Sequence, residues 1–300
     1  HISQALIAQE LGLQPSTVSN LSRELMEQGF ISITGKGESG KNGGKPSNLL
    51  TISPDFAHFS GMYIHQDHIV SHLMDYAGVI QHTETKPFNP ASPDTVPELV
   101  TEEIHHHLDM CDNYSGAGIT ISSIVNEHGD VSTSPDFPWE IPDFTNKIVS
   151  RTLDIFPVTV ENDANCAALY MHHLFKERYP NLLLFLYNPA HRSLGAGLII
   201  GGKLYKGSRG EAGEILHQEK SDVVESFSSY IVRIGSFLSP DQLVIAGGDS
   251  ADDRIIERMY RRVSDEITAF PITLRKEANL PVMGAAQLIS RAVTEQCISS

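Results

Sequence analysis

Only three cysteines, Cys111, Cys166 and Cys297, occur in the 300 residues, and no two form a Cys-x-x-Cys pair. That excludes a disulfide framework and a cysteine-built metal cluster, and it fits a reducing compartment, so a cytoplasmic protein is expected. Basic residues are scarce too: 22 Lys and Arg face 37 Asp and Glu, a formal net charge of −15. Such acidity argues against wholesale coating of nucleic acid or anionic membrane. Long apolar runs are missing, Leu182 to Leu186 being typical of the longest, far short of the ~18 residues of a membrane span. No basic segment followed by an apolar stretch opens the chain, so its first residues do not read as a secretory leader. A hydrophobic content of 40% suffices for sizeable cores, and the length suggests two or three domains.

What is present begins with a helix pair. Ser3 to Gly12 reads as a helix with Leu6, Ile7 and Leu11 on one face. Gly12-Leu13-Gln14 is a tight turn, and Pro15 suits the first position of a second helix reaching about Gln28. Ala8, Gly12, Val18 and Leu21 make a helix-turn-helix pattern: a small residue for close approach, a glycine for the turn, two apolar residues packing back. Gly29 to Thr34 and Asn48 to Ile52 read as strands flanking a Gly-rich turn, a β-wing. The second helix would offer Ser16, Thr17, Ser19, Asn20 and Arg23 to a major groove, with Lys36, Lys41 and Lys45 reaching phosphates or a narrow minor groove. Residues 1–56 carry four Lys/Arg against five Asp/Glu, fewer positive charges than a DNA-binding domain usually has. Modest, salt-sensitive affinity is therefore expected, strengthened by a dimer on two half-sites; a protein-interaction role for the same module stays open. The helix that usually packs beneath such a pair has no room after His1, so a preceding segment is expected.

After Ser53-Pro54-Asp55 the pattern changes to three successive strands: Phe59 to Ile64, Ile69 to Asp75 and Val79 to Thr85. Helices are expected at 93–112, 164–175, 221–238, 251–269 and 281–293, and further strands at 116–125, 157–160, 182–187, 196–200 and 243–246. A meander followed by alternating β and α, the scheme then repeating, fits an α/β, two-lobed actin-like fold behind an N-terminal winged helix-turn-helix. The expected division is 1–53 for the winged helix, 54–160 plus 281–300 for the first lobe, and 161–280 for the second. Within it, Asn162 and Asp163 sit between a strand and a helix, where a side chain caps orphan amides or faces a ligand cleft. An aspartate at a helix start is by itself most often a plain cap.

Three segments together resemble the ROK family (repressor, open reading frame, kinase): Val160-Glu161-Asn162-Asp163-Ala164-Asn165-Cys166-Ala167-Ala168, the run from Gly201 through Glu211-Ala212-Gly213-Glu214 to His217, and Val244-Ile245-Ala246-Gly247-Gly248. The resemblance implies that Asn162, Asp163, Glu214 and His217 hydrogen-bond sugar hydroxyls, and that in the kinases the residue at Asp163 is the catalytic base. It further implies a structural zinc held by His217 and three following cysteines; no cysteine follows before Cys297, so the site is not completed and no cofactor is expected. Whether the zinc segment is lost or lies outside the sequence stays open.

The phosphate loops depart from the kinase pattern. A turn like Asp-x-Gly-Gly-Thr is due near Gly61 to His68, where Tyr63 and His65 would crowd a phosphate; one like Gly-Thr-Gly-x-Gly is due at Asn188 to Gly197, where only Gly195 and Gly197 remain. Ser122-Ser123 replaces the family's Pro-Gly at one pocket edge, and Arg192 reads as exposed in a solvated turn. No enzymatic activity is expected, and the adjacent histidines 105–107 and 172–173 read as solvated helix faces. The reading is a repressor of sugar genes, a homodimer or tetramer on operator DNA released by a sugar or sugar phosphate, without membrane insertion. An active sugar kinase and a repressor controlled by a phosphotransferase-system protein stay open as alternatives.

Overall fold

The computed structural model describes residues 1–37, 47–87, 92–134, 137–176, 178–215, 222–247 and 253–299. At the front, β1 (Ile2–Ser3), α1 (Gln4–Leu11), α2 (Pro15–Glu27), β2 (Ile31–Lys36) and β3 (Asn48–Ile52) form two helices and a sheet of order β1-β3-β2. Ser3 caps α1 by accepting from the Leu6 amide, and Gly12 ends the helix at φ +63°, a left-handed conformation that glycine adopts without a Cβ penalty. Pro15 opens α2 as expected, and Ala8 and Val18 are buried where the helices meet. The apolar faces proposed from spacing are only partly covered: Leu6, Leu11, Leu13 and Leu21 are all exposed.

The rest is one plan used twice. In the first half an antiparallel meander of β4 (His58–Ile64), β5 (His68–Asp75) and β6 (Ile80–Pro87) leads through α3 (Thr95–Met110) to β7 (Tyr114–Ile121). The chain then passes through α4 (Phe144–Arg151) to β8 (Val158–Asn162) and α5 (Asp163–Leu174). In the second, β9 (Leu182–Asn188), β10 (Ser193–Ile200) and β11 (Lys203–Leu204) are followed by α6 (Val223–Leu238), β12 (Gln242–Gly247), α7 (Asp253–Glu266), β13 (Ile272–Arg275) and α8 (Leu280–Ser299). The sheet orders match, β6-β5-β4-β7-β8 and β11-β10-β9-β12-β13, each antiparallel across its first three strands and parallel across its last three. Every residue of β12 is buried, which is why it reads as a continuous apolar run rather than an alternation. Strand β13 and helix α4, both short, were not foreseen. None of the described helices is long and apolar enough to cross a membrane.

The last helix of each half packs on the other half's sheet. Helix α5 buries Ala164, Ala167, Ala168 and Met171 against Leu184, Leu186 and Val244, and α8 lies over β4 and β7. The two helices also pack along each other. Three glycines make this closeness possible. A Cβ on Gly118 would stand 1.9 Å from the Ala285 carbonyl oxygen, one on Gly284 1.9 Å from that of Cys166, and one on Gly197 2.3 Å from that of Ala164. Gly195 and Gly197, which looked like remnants of a phosphate loop, are therefore strand residues that seat α5.

Two histidines correct the solvated-face reading. His107 is fully buried, its Nδ1 2.7 Å from the Ser60 hydroxyl. His172 is buried on α5.

Gly284→Ala should destabilise the chain by about 1–3 kcal/mol through overpacking. Gly35→Ala, with nothing within 4 Å of the new Cβ, should change stability little. Urea denaturation of the two variants checks this, and equal midpoints would refute the close approach.

Candidate functional site

The junction of β8 and α5 holds the residues of the first motif. Asn162 is the N-cap: its Oδ1 accepts from the Asn165 amide at 3.2 Å, and its Nδ2 donates to the Ser123 carbonyl at 3.1 Å. Ser123, at the edge where the family pattern was lost, is thereby tied to the cap, and its own hydroxyl donates to the Ser132 carbonyl at 2.5 Å. Both ends of the Asn162 amide are thus engaged internally, leaving it one further proton and the remaining acceptor capacity. Asp163, one position later, is buried in the first turn of α5, where the helix dipole favours a negative charge. Its Oδ1 accepts from the Ala164 amide at 2.8 Å, and its Oδ2 accepts from the Tyr63 hydroxyl, also at 2.8 Å.

Tyr63 is the residue whose role sequence reasoning missed. It comes from β4, 100 positions away, and lies in the stretch where the first phosphate loop was due. There the chain makes a short turn from β4 to β5, closed by the His65 amide on the His68 carbonyl at 2.9 Å. The Tyr63 and His65 rings meet with centroids 3.8 Å apart, and His65 stacks on His68 at 4.2 Å. A cavity of about 320 Å³ opens beside Tyr63 and His68, below Asn279 and Val282 at the start of α8. The second expected loop is a tight hairpin, residues 189–192, between β9 and β10, with Arg192 exposed at φ +49°.

The second motif reaches the site through Lys206 and Gly213. The Lys206 ammonium lies 2.9 Å from Oε2 of the buried Glu161, whose Oε1 accepts from the Asn162 amide at 2.8 Å and the Asn165 side chain at 3.0 Å. Gly213, at φ +95°, sits so close to β10 that a Cβ would stand 1.8 Å from the Ala196 carbonyl oxygen. The next residue, Glu214, bridges Gly195. Its side chain keeps contact with solvent, yet surrounding protein, the Asp163 charge and the Glu211 charge push its carboxyl up to about 7. Because one side stays wet, solvent screening makes this shift worth less to stability than its size suggests. Asp163 and Glu214 thus lie near enough for one charge to act on the other carboxyl, and Asn162 caps the helix that Asp163 opens; His217 lies outside the described residues.

On the N-terminal module, Ser16, Thr17, Ser19, Asn20 and Arg23 are all exposed along α2, opposite buried Val18 and Ser22. Arg23 donates to the Asn20 side-chain oxygen at 3.3 Å. Lys36 is exposed at the end of β2, while Lys41 and Lys45 lie outside the described residues. The module meets the body through aromatic rings: Phe30 on Phe56 at 4.3 Å between centroids, and Phe56 on Tyr76 at 4.8 Å. The Tyr76 hydroxyl in turn lies 3.0 Å from that of Thr294 on α8.

This arrangement, two matched α/β halves with a polar junction between them, is that of sugar kinase-like, actin-like proteins. The ROK family model matches residues 60–225, more than half of the chain, and the chain belongs to that family. It is 28% identical over 246 residues to a xylose repressor from Staphylococcus xylosus, covering 81% of this chain but only 63% of that repressor. A ROK family transcriptional regulator, a homologue of the E. coli MLC protein, superposes with a TM-score of 0.69 at 16% identity, over 100% of this chain and 95% of that one. A ROK family glucokinase from Streptomyces griseus, solved with glucose and AMPPNP, gives 0.64 at 16% identity, over 78% of this chain and 99% of the kinase.

Tyr63→Phe removes a hydrogen bond to a buried carboxylate and should cost about 1.5–3 kcal/mol in urea denaturation; no loss would mean that the carboxylate is otherwise satisfied. For Glu214, a folded pKa above the unfolded one means that its contribution to stability is complete in acid and lost as pH rises toward and through about 7. Glu214→Gln removes that loss. Its urea midpoint should gain on wild type between about pH 5 and about pH 8, and a constant difference would set the shift aside.

Proposed function

We propose that this chain is a sugar-responsive transcriptional repressor, in which residues 1–53 form a winged helix-turn-helix that reads operator DNA and a degenerate kinase body senses the effector. Asp163 and Glu214 accept from the sugar's hydroxyls, His217 completes the set, and Asn162 holds the helix start that aims them. The observation that carries the reading is the Tyr63 hydroxyl on Asp163. A kinase of this fold needs backbone amides free to cradle phosphates and a carboxylate free to take a proton. Here a tyrosine from the expected loop occupies that carboxylate, and the hairpin at 189–192 contains no glycine and begins with Pro189, which has no amide proton. Asp163 then serves as a ligand rather than a base, and no phosphoryl transfer takes place.

The exposed α2 residues Ser16, Thr17, Ser19, Asn20 and Arg23 supply base and phosphate contacts, with Lys41 and Lys45 on the wing. Two half-sites on a homodimer or tetramer offset the low positive charge of each module. Relatives named xylose repressors make xylose the first sugar to test, alongside its phosphate. Release requires the sugar to favour one closure state of the body over the other. The route from Asp163 to the module runs along α5 to α8, and from Thr294 through Tyr76 and Phe56 to Phe30.

Fluorescence anisotropy with DNA from upstream of the chain's own gene, with and without sugars, tests this. Wild type should bind in a salt-dependent manner and release on one sugar. Asp163→Ala should bind DNA as tightly but lose release, a shift of about 1–3 kcal/mol in sugar coupling. Equal release by both proteins, or sugar-dependent ATP turnover, would overturn the reading. Binding that no sugar changes but a phosphotransferase-system protein relieves would move control to that partner.

A further inference from the structure

Away from the cleft, the face of edge strand β6 that meets α3 gathers a separate set of side chains. Alternation along the strand turns His82, Glu84 and Lys86 the same way, toward Glu103, His106 and His107 of α3. Three of these are already committed. Lys86 Nζ lies 2.5 Å from Glu103 Oε2, whose partner oxygen accepts from the Ser71 hydroxyl at 2.5 Å. His107 is anchored on Ser60.

What remains is three side chains that each offer one potential ligand atom to the same spot. His82 Nε2 stands 3.9 Å, and His106 Nε2 3.5 Å, from Glu84 Oε2, and the three atoms all lie within 4.8 Å of one another. His82 Nε2 and Glu84 Oε2 are shut off from solvent without a hydrogen-bond partner. Lys86 Nζ is 3.4 Å from the same Glu84 oxygen, within ion-pair distance but without supplying a well-directed donor. With the ring protons on Nδ1, both imidazoles turn a bare Nε2 lone pair toward the carboxylate, an arrangement that a cation between them would stabilise.

We propose that His82, Glu84 and His106 bind a divalent transition-metal ion of the zinc class. Two imidazole nitrogens and one carboxylate oxygen match the donor types such ions prefer, with a water completing four-coordination. Bonds of about 2.0–2.2 Å in a tetrahedron put ligand atoms ~3.3 Å apart. The observed 3.5 and 3.9 Å contract to that by small rotations of side chains that are only partly buried. Charge permits it: Lys86 is shared between Glu103 and Glu84, so two carboxylates face one ammonium and the neighbourhood stays net negative before the dication arrives. The ion ties an edge strand, otherwise an open template for pairing, to the helix that covers it. It is a structural tie on the outer face of the first half, apart from the sugar cleft.

The test uses the full chain stripped of metal by chelator and dialysis. Zn²⁺ is titrated by calorimetry, and Co²⁺ is followed by its visible absorption, which reports tetrahedral coordination. Wild type should bind a single ion through these residues, show tetrahedral Co²⁺ bands and melt at a higher temperature with Zn²⁺. His82→Ala and His106→Ala should each weaken binding ~100-fold or more and lose the Zn²⁺-dependent rise in melting temperature. Circular dichroism without metal checks that both variants fold. Zn²⁺ binding by the double variant equal to wild type, or none by wild type, would overturn the proposal. So would melts in which the variants differ from wild type only on acidification, since that would assign the cluster to a proton.

Discussion

The contact between Gly284 and the Cys166 carbonyl oxygen is the constraint on which the other parts depend. A side chain at 284 would meet that oxygen at 1.9 Å, so α5 and α8 approach closer than ordinary side chains allow. Because α8 is also seated on Gly118 of β7, the position of α5 over the first sheet is fixed through its neighbour. Gly197 fixes the same helix over the second sheet. A helix held from two sides can present its first turn with little freedom, and the first turn carries Asp163. Placement of one carboxylate at the junction of the halves is thus a packing result before it is a chemical one.

Electrostatics at the junction fits the proposed sugar ligand. Glu161 is buried but neutralised by Lys206, and its other oxygen is spent on amides that hold the cap. Asp163 keeps acceptor capacity beyond its bonds to Tyr63 and Ala164, and its charge raises the Glu214 carboxyl. Two carboxyl groups that repel each other gain from a ligand bringing hydroxyl donors to both. An anionic group close to them would add to the repulsion, so a phosphate, if the sugar carries one, must point away from Asp163 and Glu214.

Much of this was legible in the sequence, for identifiable reasons. The repeated meander and the helix pair announced themselves through apolar periodicity and through Gly12 and Pro15. The first motif could be placed at a helix start, because the strand and the cap are local features. Tyr63 on Asp163 could not be read, since the partners are 100 positions apart and only register and helix packing bring them together. Gly195 and Gly197 were misread because a glycine needed for close helix packing and one needed for a phosphate loop look the same in one dimension. His107 was misread because it belongs to a three-histidine run; the ~100° step of the helix leaves His106 half exposed and turns His107 inward onto Ser60.

Under the proposed repressor function, the joint between the N-terminal module and the body decides whether a signal from the cleft can reach the module. It is built from Phe30, Phe56 and Tyr76, aromatic contacts worth about 0.5–1.5 kcal/mol each beyond their buried area. Beside it lies a cavity of about 580 Å³ lined by Leu25, Ile31 and Ile52 of the module and by Arg291 and Thr294 of α8. A fully packed interface would resist rearrangement as a protein core does; this one leaves space on one side. Site-to-site coupling of about 1–3 kcal/mol is comparable to one or two such aromatic contacts. A shift of α8 large enough to break the Tyr76–Thr294 contact and loosen one ring pair would therefore suffice to reorient the module. The α5–α8 pair is packed too closely for a motion of the same size to be as easy there, so the proposed coupling places the rearrangement at the aromatic joint, with α5 and α8 moving as one body.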